Sequence, residues 1–264
     1  MVTNPYPDLE RTEVTYDGVT RSVFRGGTGP AVIVIHEIPG LHPGVVAFGR
    51  RVIGAGMTAY FPSLFGEPGR EPSPGYTTGS IMRACVSREF ATWATHKTSP
   101  IVGWLRALAR DAHAACGGPG VGAIGMCLTG GFALAMMVDD TMVAPVLSQP
   151  SLPFPVSHAH RRDLGISDAD LVKVRARCAA GTPVMGLRFT GDRTSPGERF
   201  ARLREELGDR FIGIEIDSSP GNPYGLPRTA HSVVTRDLVD EPGHPTRIAL
   251  DRVVAFFRER LAVA

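Results

Sequence analysis

The chain has 264 residues, 43% hydrophobic and 20% charged, with a formal net charge of +2. That is enough chain to bury a large core, as one big α/β domain or two small ones. A charge this small, with no block of one sign, speaks against nucleic acid and acidic membrane surfaces as partners.

In chain order, "EVTYDGVTRSVFRGG" alternates around Asp17-Gly18, a strong hairpin signal. "AVIVIHE", Ala31 to Glu37, is a nearly continuous β-branched run, as in a strand covered on both faces. A helix is predicted from Pro43 to about Gly54, and "MTAYFP" is the next strand. From Pro62 to Ser80 the chain is so rich in Pro and Gly that it reads as a long loop, suited to be the wall of a site. Helical spacing then runs from Ile101 to Ala115, followed by the strand "VGAIGM", the apolar helix "LTGGFALAMMV" and the strand "MVAPVLSQ". "QPSLPFP", after that strand, has the look of pocket wall. Ser167 caps a helix that stops at Gly181; "PVMGLRFTGD" and "RFIGIEID" are strands separated by a helix over Glu198–Leu207. An amphipathic helix, "PTRIALDRVVAFFRERLA", closes the chain, with Ile248, Val253, Val254, Phe256, Phe257 and Leu261 on its apolar face. Strands alternate with helices after an initial antiparallel hairpin. The expectation is one α/β domain over residues 1–264, with a mostly parallel sheet and helices on both faces.

Cys85, Cys116, Cys127 and Cys178 are far apart and form no CxxC pair, so neither a thiolate zinc site nor a disulfide scaffold is expected. The opening "MVTNPYPDLE" lacks an export-signal pattern and no apolar run reaches membrane-spanning length, so a cytoplasmic location is expected, with no membrane partner.

"IGMCLTGG" holds the chemical question. Cys127 ends a strand, where sites in open α/β sheets form, and a helix start just beyond would favour a thiolate. Gly125 leaves room for a sharp turn like the G-x-S-x-G nucleophile elbow, although Thr129 stands where the second glycine is expected. A free cysteine is also often a small buried hydrophobe, so the motif alone leaves both readings open. Asp192 in "FTGDRTSP" and His231 in "RTAHSVV" follow at later strand ends. Nucleophile, acid, histidine is the chain order of α/β-hydrolase triads.

Together "VIHEIPG", "GMCLTGG", "TGDRTSP" and "AHS" resemble the dienelactone hydrolase family, a cysteine branch of the α/β-hydrolases, over nearly the whole chain from about Val32. The resemblance implies an α/β-hydrolase fold and a Cys127–His231–Asp192 triad, with Glu37 beside the resting thiol controlling its ionisation. It also implies an oxyanion hole from the backbone N–H groups of Ile38 and Leu128. The implied activity is ester or lactone hydrolysis through a thioester, on a small-molecule substrate, with no metal or organic cofactor. Family enzymes grip a substrate carboxylate with arginines, and Arg83, Arg88 and Arg236 are candidates by position. Thr129, Pro39 and the unfamiliar arginine pattern mark a divergent branch. A broad carboxylesterase is the alternative within chemistry; a redox-sensing or binding protein on the same scaffold is the alternative outside it.

Overall fold

In the computed structural model, which describes residues 4–87, 89, 90 and 93–263, Asp17 and Gly18 both have positive φ, 51° and 76°. That is the twist a two-residue reversal needs. It joins strand β1 (Glu10–Tyr16) to β2 (Val19–Gly26) with Tyr16 opposite Val19. The remaining strands are β3 (Ala31–Ile35), β4 (Thr58–Pro62), β5 (Val121–Met126), β6 (Met142–Ser148), β7 (Val184–Phe189) and β8 (Phe211–Ile216). They form one eight-stranded sheet in the order β1-β2-β4-β3-β5-β6-β7-β8. Pairing is antiparallel for β1–β2 and β2–β4 and parallel from β4 through β8. This is the α/β-hydrolase architecture expected.

Every residue of β3 and β5 is buried, because helices cover both faces. The two-residue period sends Ile33 and Ile35 to one core and Val32 and Val34 to the other. The first core is closed by α3 (Ile101–Cys116), α6 (Asp168–Ala179) and α7 (Gly197–Leu207), through Leu105, Val174 and Phe200 among others. The second is closed by α1 (Pro43–Gly54) and α8 (Pro245–Arg260), through Phe48, Val253 and Phe257. Burying each side chain of this size contributes roughly 1.5–3 kcal/mol. From β3 the chain steps outward to β4, then returns across β3 to β5 and continues the other way. The strand order therefore reverses between β3 and β5, which opens a crevice beyond their carboxyl ends.

Three expectations are corrected. Residues 74–80 are not loop: α2 spans Pro74–Val86, with Pro74 in its first turn. Among its described side chains Ser80 and Ala84 alone are buried, so Gly75 and Gly79 outweighed a faint helical period in the sequence. Ile248 is 48% exposed, because it shares a helix face with Arg252, Ala255 and Glu259. "LTGGFALAMMV" yields a 3-10 turn over Cys127–Thr129 and a five-residue helix, α4 (Phe132–Met136), in place of a long helix. A second short helix, α5 (His158–Arg162), went unread in the sequence.

Candidate active site

At the carboxyl end of β5, Cys127 adopts φ = 54°, a conformation that costs a non-glycine residue about 1–3 kcal/mol and collects at functional sites. Its neighbours enforce it. A Cβ on Gly125 would meet the Thr129 carbonyl oxygen at 2.1 Å, and one on Gly130 would meet Cα of Pro150 at 2.5 Å. Both glycines are therefore demanded by close backbone approach. Thr129, the departure from the elbow pattern, has a use: its buried hydroxyl accepts from Met126 N at 3.0 Å and lies 3.1 Å from the carbonyl of Ile35 and 3.2 Å from that of His36. It ties the turn to the end of β3. Beyond the turn, α4 is five residues long rather than the long helix expected, so it offers the sulfur only a weak dipole. Any negative charge there must be balanced by side chains.

The side chain that can do so is His231. Its Nδ1 lies 2.7 Å from Oδ2 of Asp192 and 3.1 Å from Thr194 Oγ1, and the ring shares one cavity with Cys127. Asp192 is fixed in turn, its Oδ1 accepting from Thr194 N at 2.9 Å and Thr194 Oγ1 at 2.7 Å. Asp237 anchors the histidine's own backbone, accepting from the N–H of His231 at 2.8 Å and of Ser232 at 2.7 Å. Burial alone would lower the His231 pKa, but the charges on Cys127 and Asp192 raise it well above the usual imidazole value. Burial pushes Asp192 up, and the bonds from His231 and Thr194 more than reverse this, leaving it below the usual carboxylate range.

Glu37, just past β3, is 1% exposed. Its Oε1 accepts from His42 Nε2 at 3.2 Å and Thr235 Oγ1 at 2.5 Å; its Oε2 accepts from Ser232 Oγ at 2.8 Å and Gln149 Nε2 at 3.2 Å. Burial opposes its ionisation, yet the bond from His42 and its charge, then the bond from Thr235 and the charge of His231, hold its pKa below the usual range. No hydrogen bond joins it to Cys127 among the described residues, and the two line the same cavity. His36 beside it points elsewhere: Nε2 accepts from Leu64 N at 3.0 Å, and burial lowers its pKa to about 4, so it stays neutral.

A cavity of about 500 Å³ opens over these groups. Cys127, His231, Asp192 and Glu37 line it together with Ile38 and Leu128, the two residues whose backbone N–H groups were expected to face an oxyanion. Its walls divide. Ile38, Ile81, Leu128 and Phe154 form an apolar side, while Arg193, Arg228 and Arg236 stand on the side built by the Asp192 and His231 loops. These three arginines are exposed, and none has an ion-pair partner among the described residues. Of the arginines picked out in the sequence, Arg236 lines the cavity; Arg83 borders a separate hollow with Arg70 and Tyr76, and Arg88 lies outside the described residues. Arg193 and Arg228 were missed, although they sit one residue from Asp192 and three from His231 in sequence. Ile81 was hidden with α2.

One buried cation braces the apolar wall. Arg199 of α7, 1% exposed, donates to the carbonyls of Asp163 (2.6 Å), Pro150 (2.6 Å), Pro153 (2.7 Å) and His160 (2.9 Å). Burial lowers its pKa to about 10, which leaves it charged. Ser151 N, in the same arch, donates to the carbonyl of Cys127 at 2.9 Å.

The dienelactone hydrolase family profile matches residues 21–259. Among solved structures, a protein of Klebsiella pneumoniae subsp. pneumoniae assigned as a dienelactone hydrolase is similar at 17% identity and TM-score 0.60, covering 95% of this chain and 98% of its own. A dienelactone hydrolase-like promiscuous phosphotriesterase from metagenomic libraries is similar at 15% identity and TM-score 0.59, covering 96% and 98%. Est1E from Butyrivibrio proteoclasticus is similar at 12% identity and TM-score 0.53, covering 96% and 99%. No curated protein sequence matches. At these identities the structures speak for the fold, but the family profile spans most of the sequence: the chain belongs to the dienelactone hydrolase family.

Proposed function

We propose that the protein hydrolyses small carboxylic esters or lactones, using Cys127 as nucleophile, His231 as acid and base, and Asp192 as the group that orients the imidazole. The observation that carries this is His231 held 2.7 Å from Asp192 and lining, with Cys127, one substrate-sized cavity.

Nε2 of His231 takes the proton of Cys127 as the sulfur attacks the substrate carbonyl, and the electron pair of the C=O bond moves onto oxygen. In this reading the N–H groups of Ile38 and Leu128 receive that oxyanion, worth roughly 3–4 kcal/mol for each donor. Collapse breaks the carbon–oxygen bond to the leaving alcohol, which takes its proton from Nε2 of His231. Water then attacks the thioester, gives a proton back to Nε2 and expels the sulfur as the acid product forms.

The wall favours a substrate with charge on one end. Proton delivery from His231 puts the leaving group near the loops that carry Asp192 and His231, on which Arg193, Arg228 and Arg236 line the cavity. Unpaired arginines there suit a carboxylate or phosphate. This favours a lactone or ester with an anionic group over a neutral ester of the general carboxylesterase kind. The test compares a carboxylated lactone, a neutral lactone and a neutral aryl ester on the purified protein, with Cys127→Ala as control. Turnover of the anionic substrate that vanishes in Cys127→Ala is expected. Turnover that survives the substitution would remove the sulfur from the reaction.

A further inference from the structure

The hydroxyl of Thr194 touches both members of the acid–imidazole pair. Its Oγ1 lies 2.7 Å from Oδ1 of Asp192 and 3.1 Å from Nδ1 of His231, while Oδ2 of the same carboxylate lies 2.7 Å from that Nδ1. A hydroxyl has one proton to give and two lone pairs to accept with. The carboxylate is the closer and stronger acceptor, so the proton goes to Oδ1 and a lone pair of Oγ1 faces the ring. Nδ1 thus meets two acceptors and, among the described residues, no donor. A hydrogen on Nδ1 satisfies both, whereas a bare Nδ1 would set three lone pairs against one another. Nδ1 therefore keeps its hydrogen whether the ring is neutral or charged, and Nε2 is the nitrogen free to exchange protons.

An ordinary turn, with Thr194 reaching back to Asp192, explains the first contact alone. The contact with His231 depends on where the whole loop is held. Thr190 N donates to the Ile216 carbonyl and Gly191 N to Ser218 Oγ, each at 2.9 Å, which ties the loop to the end of β8. That approach needs a glycine, since a Cβ on Gly191 would meet Ser218 Oγ at 2.8 Å and the Arg228 carbonyl at 2.9 Å. On the other side of Thr194, the Ser195 carbonyl accepts from Arg188 Nε at 2.8 Å. One hydrogen bond lets a ring swing about it; a second acceptor on the same N–H does not.

We propose that Thr194 is a positioning residue for the reaction, its hydroxyl bridging Asp192 and His231 so that the imidazole is held against swinging and keeps its Nδ1 hydrogen. The role rests on the hydrolase reading above. Misplacing a reacting group by about 1 Å can cost about 100-fold in rate, so a second tether on the ring has work to do.

Thr194→Val tests this. It fills the same space without the hydroxyl, and because Thr194 is exposed at the cavity wall, the added methyl also keeps water from standing in. On a neutral aryl ester kcat is expected to fall about tenfold with KM nearly unchanged, the scale of one hydrogen bond to a charged group. Thr194→Ser returns the hydroxyl and should recover kcat to within about twofold. In an Asp192→Asn background the bridge has lost its carboxylate, so adding Thr194→Val should cost about twofold or less. A full tenfold cost there, no recovery in Thr194→Ser, or a rise in KM in place of the fall in kcat would overturn the proposal. Proton NMR of the His231 Nδ1–H signal needs no turnover: exchange with water is expected to be about tenfold faster in Thr194→Val. An unchanged exchange rate would overturn the bridge. A wild-type protein inert toward esters would sink the hydrolase reading and leave this signal to decide; equal kcat in wild type and Thr194→Val would end the bridge and leave that reading standing.

Discussion

The floor of the cavity and its walls are built on opposite terms. On the floor, Cys127 sits in a strained turn in which Gly125, Thr129 and Gly130 have no latitude, and the side chains that face it are tied by several bonds each. On the walls, α2 is mostly exposed with a thin buried stripe, and three arginines reach out with no ion-pair partner among the described residues. The difference teaches where chemistry and selectivity reside. Atoms that must be placed to a fraction of an ångström are held by backbone crowding; atoms that choose a substrate are left free to meet it.

Substitutions should separate the two regions by the size and kind of their effects. Cys127→Ala is expected to abolish ester turnover, a fall in kcat of about 10⁶-fold if the group acts as in other nucleophilic triads, with the melting curve little changed. Asp192→Asn keeps the shape but misplaces the imidazole proton, so a loss in kcat of about 10⁴-fold is expected in the same assay. Gly125→Ala should act on the fold: a Cβ 2.1 Å from the Thr129 carbonyl must move the elbow, at a cost of about 3 kcal/mol in urea unfolding. A drop well under 1 kcal/mol would mean the turn is softer than its crowding implies. On the wall, Arg228→Ala and Arg236→Ala should raise KM for an anionic substrate about tenfold while leaving kcat and neutral esters nearly alone. Equal effects on both substrates would blur the division.

The smallest effect is on pH dependence. Asp192 and Glu37 have lowered pKa values, so their stabilisation is present above the usual carboxylate range and lost as acid titrates them in the folded state. His231 is raised, so its contribution is full below about pH 6.5 and lost as pH rises through its folded value. Urea midpoints should therefore fall on both the acid and alkaline sides. In Cys127→Ala the alkaline fall should begin earlier, because a charge that raises His231 is gone.

Much of this was legible along the chain, and the exceptions are physical. Asp17-Gly18 showed its turn because two positive φ values demand those residues. The strands β3 and β5 announced their two-sided burial, and their ends carried Glu37 and Cys127 to the crevice. The helix α2 was masked by Pro and Gly and by a face that buries little. The surroundings of Glu37 could not be read at all. His42, Gln149, Ser232 and Thr235 come from three distant segments, form no motif, and are common polar residues until the fold gathers them.

Arg199 carries a consequence for how such a cavity can change over generations. Its guanidinium fastens four carbonyls of the 150–163 arch to the helix that follows the Asp192 loop, and the arch is pinned at Ser151 to the carbonyl of Cys127. Reshaping that arch for a new acyl group would drag the acid and the sulfur out of line together. Divergence in substrate range is therefore channelled to α2 and the outward arginines, which can drift one residue at a time without disturbing the machinery beneath them.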